Sequence, residues 1–200
     1  GWTLAGVQRL FPSSGGALIT EGDGSAVFFV WNGSSYTAPP GEFTRLTLAG
    51  GTYTRAYPDS TKVAFKATGE MTTVRDRFNN ITSFWYDASN RLSQITDPAN
   101  KAIFLSYGLY GLASVWGFGP TTAVTVNSSR RLTAIVDPDG DSTRFGYDAS
   151  GRLDSITNRG GATTTLGYDS TSGKLASITA PAIAVYRGGQ GPPVTGFAAW

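Results

Sequence analysis

Asp137, Asp139 and Asp141 alternate along the chain as the carboxylates of an oxygen-ligand calcium loop do. Such a loop also needs a further carboxylate and backbone carbonyls at fixed offsets, and the glutamate that ends an EF-hand loop has no counterpart here. Asp137-Pro138-Asp139-Gly140 is better read as a turn. Paired carboxylates could also hydrolyse a glycoside. Of the fourteen acidic residues, however, Asp87, Asp97, Asp137, Asp139, Asp148 and Asp169 are accounted for by turns. Glu21, Glu42 and Glu70 have no motif around them. Histidine and cysteine are both absent, which removes Ser–His and Cys–His nucleophiles, disulfides, and imidazole or thiolate metal sites. The expectation is a protein that is not an enzyme, with no catalytic residue, no metal and no cofactor.

Two further sets of residues could bind rather than react. Arg91, Arg131, Arg152 and Lys174 recur beside the turns and could form a cationic column for an anionic polymer or sugar acid. The preferred reading is structural, with these cations pairing with the turn aspartates Asp87, Asp148 and Asp169. A column of tyrosines could stack on sugars, but rings more often pack on each other. Trp31, Trp85 and Trp116 would be better sugar platforms if exposed. Charged residues make up 15% of the chain with a net charge of +2, and no basic block interleaves with a stacking platform. Nucleic acid is therefore not an expected partner. No apolar run is long enough to span a membrane, and no signal peptide is expected within these residues. The sequons at Asn32, Asn80 and Asn127 are read as chance in a chain rich in serine and threonine. The chain begins and ends as a piece cut from something longer would.

The elements that position these residues repeat. Anchors at Phe65, Tyr86, Tyr107, Val126, Tyr147 and Tyr168 are separated by 21, 21, 19, 21 and 21 residues. A fixed period in this range marks one supersecondary unit stacked on copies of itself. Within residues 86–107, Asp87-Ala88-Ser89-Asn90 is a turn, Arg91 to Thr96 a strand, Asp97-Pro98-Ala99-Asn100 a second turn, and Ala102 to Tyr107 a second strand. Asp at the first turn position accepts from amides two residues on, proline at the second presets φ, and glycine or asparagine at the fourth tolerates the left-handed conformation.

An apolar residue follows most anchors by six: Met71, Leu92, Leu132 and Leu153, with Leu112 and Leu175 shifted by one. A β-branched residue comes three later, at Val74, Ile95, Val115, Ile135, Ile156 and Ile178. In a regular strand this odd spacing places the two on opposite faces. Phe84, Leu105, Phe145 and Leu166, two residues before the next anchor, share its face. The expected fold is all-β, a meander of antiparallel β-hairpins making a curved, spiralling sheet with open edges. A β-propeller is the rival at the level of fold, but the repeats are alike one by one rather than alternately. Residues 1–56 are expected to be a diverged lead-in β segment continuous with the sheet, residues 57–180 the array of about 21-residue hairpins, and residues 181–200 a Pro/Gly-rich linker or tail.

The segments Tyr86-Asp87-x-x-Asn90-Arg91-Leu92, Tyr147-Asp148-x-x-Gly151-Arg152-Leu153 and Tyr168-Asp169-x-x-x-Gly173-Lys174-Leu175 resemble the YD repeat of RHS-repeat proteins. Ile95 to Pro98 and Ile135 to Pro138 fit the same repeat. Trp2, Arg9-Leu10 and Glu21 to Ser25 look like the segment that precedes such repeats in large bacterial surface and secreted proteins. The resemblance covers about residues 57–180 and makes Tyr86, Asp87, Arg91, Leu92, Tyr107, Tyr147, Asp148, Gly151, Arg152, Leu153, Tyr168, Asp169, Gly173, Lys174 and Leu175 repeat-structural residues. It departs at Gly108, which replaces Asp, and at Val126-Asn127, which replaces Tyr-Asp.

The resemblance implies a β-strip wound into a hollow shell that encloses an effector in bacterial toxins and serves adhesion in animal teneurins. It also implies an extracellular, secreted or cell-surface location. Implied partners are further repeats of the parent chain or identical subunits, and an enclosed effector domain. No self-cleaving core segment and no effector domain is recognised, and this many strands are expected to be too few to close a shell alone. Adhesion through glycans, and self-assembly of strip edges into a tube or fibre, are the alternative roles.

Overall fold

The computed structural model describes residues 6–181, 183–185 and 194–196, and every regular element among them is a strand. The chain divides into two compact units, Gly1–Phe104 and Leu105–Trp200.

The first unit opens with β1 (Arg9–Ser13), β2 (Gly16–Thr20), β3 (Ala26–Trp31) and β4 (Tyr36–Thr37), which form their own four-stranded antiparallel sheet in sequence order. It continues with β5 (Arg45–Ala49), β6 (Thr52–Ala56), β7 (Lys62–Lys66), β8 (Met71–Arg75), β9 (Ile81–Tyr86), β10 (Leu92–Thr96) and the start of β11 (Ala102–Tyr107). In the second unit the end of β11 is followed by β12 (Leu112–Trp116), β13 (Thr122–Val126), β14 (Leu132–Val136), β15 (Ser142–Tyr147), β16 (Leu153–Thr157), β17 (Thr163–Tyr168) and β18 (Leu175–Thr179). Strands β5 to β18 are hydrogen-bonded in sequence order, the meander expected from short turns.

Residues 1–56 thus do not form one segment continuous with the sheet. Strands β1–β4 stand apart, while β5 and β6 already belong to the long sheet. The two sheets meet through backbone where Leu10 N donates to Gly69 O at 2.9 Å and Arg9 bridges Glu70. Most of the expected linker at 181–200 lies outside the described residues, apart from the paired strands β19 (Ile183–Val185) and β20 (Val194–Gly196).

The turns form for local reasons. At Asp87, the Asn90 amide donates to the Asp87 carbonyl and the Asp87 amide to the Arg91 carbonyl, each at 2.9 Å. The Asp87 Oδ1 atom takes the amides of Ser89 and Arg91, both at 2.9 Å. The fourth turn residue must adopt positive φ, and Asn90 (58°), Asn100 (61°) and Gly140 (91°) do so at low cost. Arg130 takes the same position at φ 58° without being glycine or asparagine.

One expectation about the faces is overturned. The register slips once in the repeats that begin at Phe65, Tyr86, Val126, Tyr147 and Tyr168: Leu92 faces Tyr86, Gln94 faces Trp85 and Ile95 faces Phe84, so Ser93 is a β-bulge. Equivalent slips fall between Met71 and Thr73, Leu132 and Ala134, Leu153 and Ser155, and Leu175 and Ser177. The extra residue cancels the odd spacing, so leucine and the β-branched residue share one face with the anchor and its partner two residues before. In the first unit this face carries the core: Val63, Phe65, Met71, Phe84 and Leu92 are buried, and they pack with Leu10, Ile19, Phe29, Leu46 and Tyr53 counted in the same core. Full burial of such a side chain contributes about 1.5–3 kcal/mol. In the second unit only Leu105 and Leu132 are buried among the described residues, and the strand β18 is exposed throughout.

Candidate functional site

Repeats that begin with Tyr86, Tyr147 or Tyr168 are tied to the one before by the tyrosine hydroxyl. The bulge ends the ladder between a strand and the following one; β8 and β9, for example, pair no further than Thr73 and Ser83 toward that end. The Met71 carbonyl beyond this point takes the Tyr86 hydroxyl at 2.9 Å. Tyr147 donates to Leu132 O and Tyr168 to Leu153 O, both at 2.7 Å and both 15 residues back in the chain. The hydroxyl is therefore a backbone tie, which phenylalanine cannot supply.

The cations of the expected column are placed in the same stack. Arg91 bridges Asp87 at 2.7 Å and Arg152 bridges Asp148 at 2.8 Å. Arg152 also lies 4.4 Å from the centroid of the Tyr168 ring, and Arg131 lies 5.5 Å from that of Tyr147. Arg131 and Arg152 thus each cover the tyrosine of the following repeat. A Cβ on Gly151 would meet Arg131 Nη2 at 1.8 Å, which shows how closely that guanidinium sits on the turn. The carboxyls of Asp87 and Asp148 are held below the usual range, first by the amides of Arg91 and Arg152. Asp169 differs, because its turn has one more residue: its Oδ1 takes Thr171 N at 3.2 Å and Ser172 N at 2.6 Å rather than pairing with Lys174. Tyr107 begins a tighter turn closed by Gly108 N to Gly111 O at 2.8 Å.

The aspartates with calcium-loop spacing converge on a cation from the chain. Arg159 Nε lies 2.8 Å from Asp137, and its Nη2 lies 3.2 Å from Asp139 and 3.3 Å from Asp141. Arg159 sits on the turn between β16 and β17, outside any motif, which is why sequence reading missed it.

The three glutamates without a motif form two ion clusters in the first unit. Arg55, on β6, is 4% exposed and on the apolar face, because it faces Val63 and Leu46 across the ladders. Its guanidinium binds Glu21, Glu42 at 3.3 Å, Gln8 Oε1 at 3.3 Å and Thr44 Oγ1 at 3.0 Å, and lies 4.8 Å from the Tyr57 ring centroid. Gln8 in turn donates to the Tyr57 hydroxyl at 2.7 Å. Burial raises the Glu42 carboxyl, but Thr44 and Arg55 more than offset it and hold it below its ordinary value. Glu70 is 1% exposed and sits 2.8 Å from Arg9 Nη2, with the Thr68 hydroxyl on its other oxygen. It too is held low: burial opposes this, and Thr68, its own amide and Arg9 outweigh burial. Tyr36 and Tyr53 add a third link, 3.4 Å between hydroxyls, and burial and this contact push Tyr36 up to about 12. These clusters clamp β1–β4 onto β5–β8.

The fold and its repeat contacts define a chain of stacked β-hairpins whose polar groups serve the stack. Within that class, the family described as RHS Repeat matches residues 131–155 and 147–182, so residues 131–182 are similar to RHS repeats. A comparison with curated proteins finds no match. Among solved structures, TcdB2-TccC3 without its hypervariable C-terminal region is 18% identical with a TM-score of 0.52, covering 86% of this chain and 12% of that one. A Photorhabdus luminescens Tc holotoxin pore carrying a TccC3 mutation is 12% identical with a TM-score of 0.45, covering 85% of this chain and 13% of that one. The first likeness is one of fold, and this chain spans about an eighth of the matched protein's length.

Proposed function

We propose that the chain is a structural, non-catalytic wall segment of an extracellular or secreted RHS-like protein, in which the β-strip forms a shell that encloses or displays other domains. The observation that carries this reading is the tie between successive repeats where a tyrosine begins them: its hydroxyl meets the bulge carbonyl, and the preceding arginine, paired with its own turn aspartate at Arg152, lies on the next tyrosine ring. In the repeats, the turn aspartates Asp87 and Asp148 and the arginines Arg91, Arg131 and Arg152 are engaged in the turns and against the next tyrosine ring. The residues from Tyr86 to Leu175 quoted for the repeat act as this fastening, within an array taken as residues 57–180.

The half-covered apolar face of the second unit supports an object larger than this chain. Its residues Phe145, Tyr147, Ile156, Leu166 and Tyr168 are only partly covered. Among the described residues, β18 has no strand on its outer edge, and it exposes Leu175 and Ile178. An edge of this kind is a template for another strand, from further repeats or an identical subunit. An enclosed effector would be a second partner. The test is single-particle imaging of the parent protein. A hollow closed wall is expected, and a solid globule or an open rod with this segment at its surface would refute the reading.

A further inference from the structure

A second basic feature lies on the opposite, polar face of the first unit, away from the repeat fastening. Arg45, Ala56, Lys62 and Arg75 face one another in a row across β5–β8. Their side chains leave the same face at strand spacings of about 4.8 Å. The next row, Thr54, Ala64 and Thr73, is short and partly hydroxylated. Long cations around a floor of small residues leave a concavity of about 820 Å³, with Arg77, Asn79 and Ser60 along the turns and Phe43, 79% exposed, on one side. This volume is within the range of small-molecule sites.

The cations here are not consumed as those of the repeats are. Among the described residues no carboxylate lies within ion-pair distance of Arg45, Lys62, Arg75 or Arg77. Asp76, the acid in the lining, is occupied by its own turn, taking the amides of Phe78 at 2.7 Å and Asn80 at 2.9 Å and the Asn80 side chain at 2.8 Å. Asp59 nearby accepts the Thr61 amide at 2.9 Å in the same manner. Arg75 has a single long contact, 3.5 Å, to Asn79.

We propose that this face binds a short acidic oligosaccharide of uronate type. Its carboxylates pair with Arg45, Lys62 and Arg75, its hydroxyls with Thr54, Thr73 and Asn79, and a sugar ring rests on Phe43. Guanidinium groups match carboxylates in a planar, two-bonded fashion. An acidic peptide is less well suited, because β6, β7 and β8 of this floor are paired on both sides and only the edge of β5 has main-chain groups for an added chain. Single-stranded nucleic acid would want a row of stacking rings, and here Phe43 and Tyr57 are the aromatic residues in the lining.

The test is titration of the 200-residue chain with trigalacturonate, read by NMR at the Ala56 and Ala64 methyl groups. Saturable shifts are expected, weakened about tenfold by either Lys62→Gln or Arg75→Gln and weakened by added salt. Both side chains are exposed, and unchanged amide spectra would certify that the variants fold. Maltotriose should produce no shift. Absence of saturable shifts, equal shifts with maltotriose, equal affinity for hexaglutamate, or unchanged affinity in both variants would each overturn the proposal.

Discussion

Replacing Arg55 with alanine should cost the first unit about 3–5 kcal/mol, the range for breaking a buried ion pair from one side. The arginine is 4% exposed and serves four acceptors. Without it, Glu21 and Glu42, with 27% and 20% of their side chains exposed, rehydrate in part. Gln8 and Thr44, at 8% and 6%, cannot, and each buried polar group left without a partner costs about 1–3 kcal/mol. Partial rehydration argues for the middle of the range rather than the sum. For a chain of this length the loss corresponds to a fall in Tm of roughly 6–20 °C. Urea unfolding followed by tryptophan fluorescence reads the stability. Hydrogen exchange at the Leu10 amide, bonded to Gly69, reads undocking of β1–β4 directly. Arg55→Lys should recover little, because one ammonium cannot reach acceptors arranged around a planar fork. Arg55→Met combined with Glu21→Gln and Glu42→Gln should recover about half the loss, since the penalty lies mainly in stranded charge. A cost under about 1 kcal/mol for Arg55→Ala, or a triple variant no more stable than the single one, would refute the argument.

Tyr147→Phe and Tyr168→Phe should each destabilise by about 1 kcal/mol through the lost bond to a bulge carbonyl. Tyr110→Phe, on an exposed loop, should change nothing measurable in the same denaturation assay. Arg130→Gly should stabilise by roughly 0.5–1 kcal/mol, because glycine adopts φ 58° without steric cost; a loss of stability would mean the arginine side chain matters more than its backbone. Gly69→Ala should destabilise by more than about 1 kcal/mol, as a Cβ there would meet the Leu10 carbonyl oxygen at 1.8 Å and the residue has φ +93°. For Glu42 and Glu70 the folded carboxyls titrate below the ordinary 4.5, so their contribution is complete above that value and is lost as pH falls through the folded value. Stability measured from pH 6 downward should therefore fall in acid, and Glu70→Gln should flatten the slope; an unaltered slope would show that Glu70 is not held as its contacts indicate.

What the sequence determined by itself is what is encoded within a few residues. The period and the turns that begin at Asp87, Asp97, Asp137 and Asp148, with asparagine or glycine in fourth position, were legible because an aspartate bonds amides two and four residues away. The meander followed, since turns of that length leave a strand no partner but its neighbour. The matched faces of leucine and isoleucine were not legible. A bulge leaves no mark in the pattern of residue types, yet it shifts every later side chain by half a pleat. The partners of Arg55 were hidden for a different reason: Glu21 lies 34 residues away and Gln8 47 residues away, next to the ends of strands of another sheet. Arg159 likewise answers aspartates 18 and 20 residues earlier. Tertiary structure decided which charges are spent and which are free, because ion pairing depends on distance in space and the turn code specifies only distance along the chain.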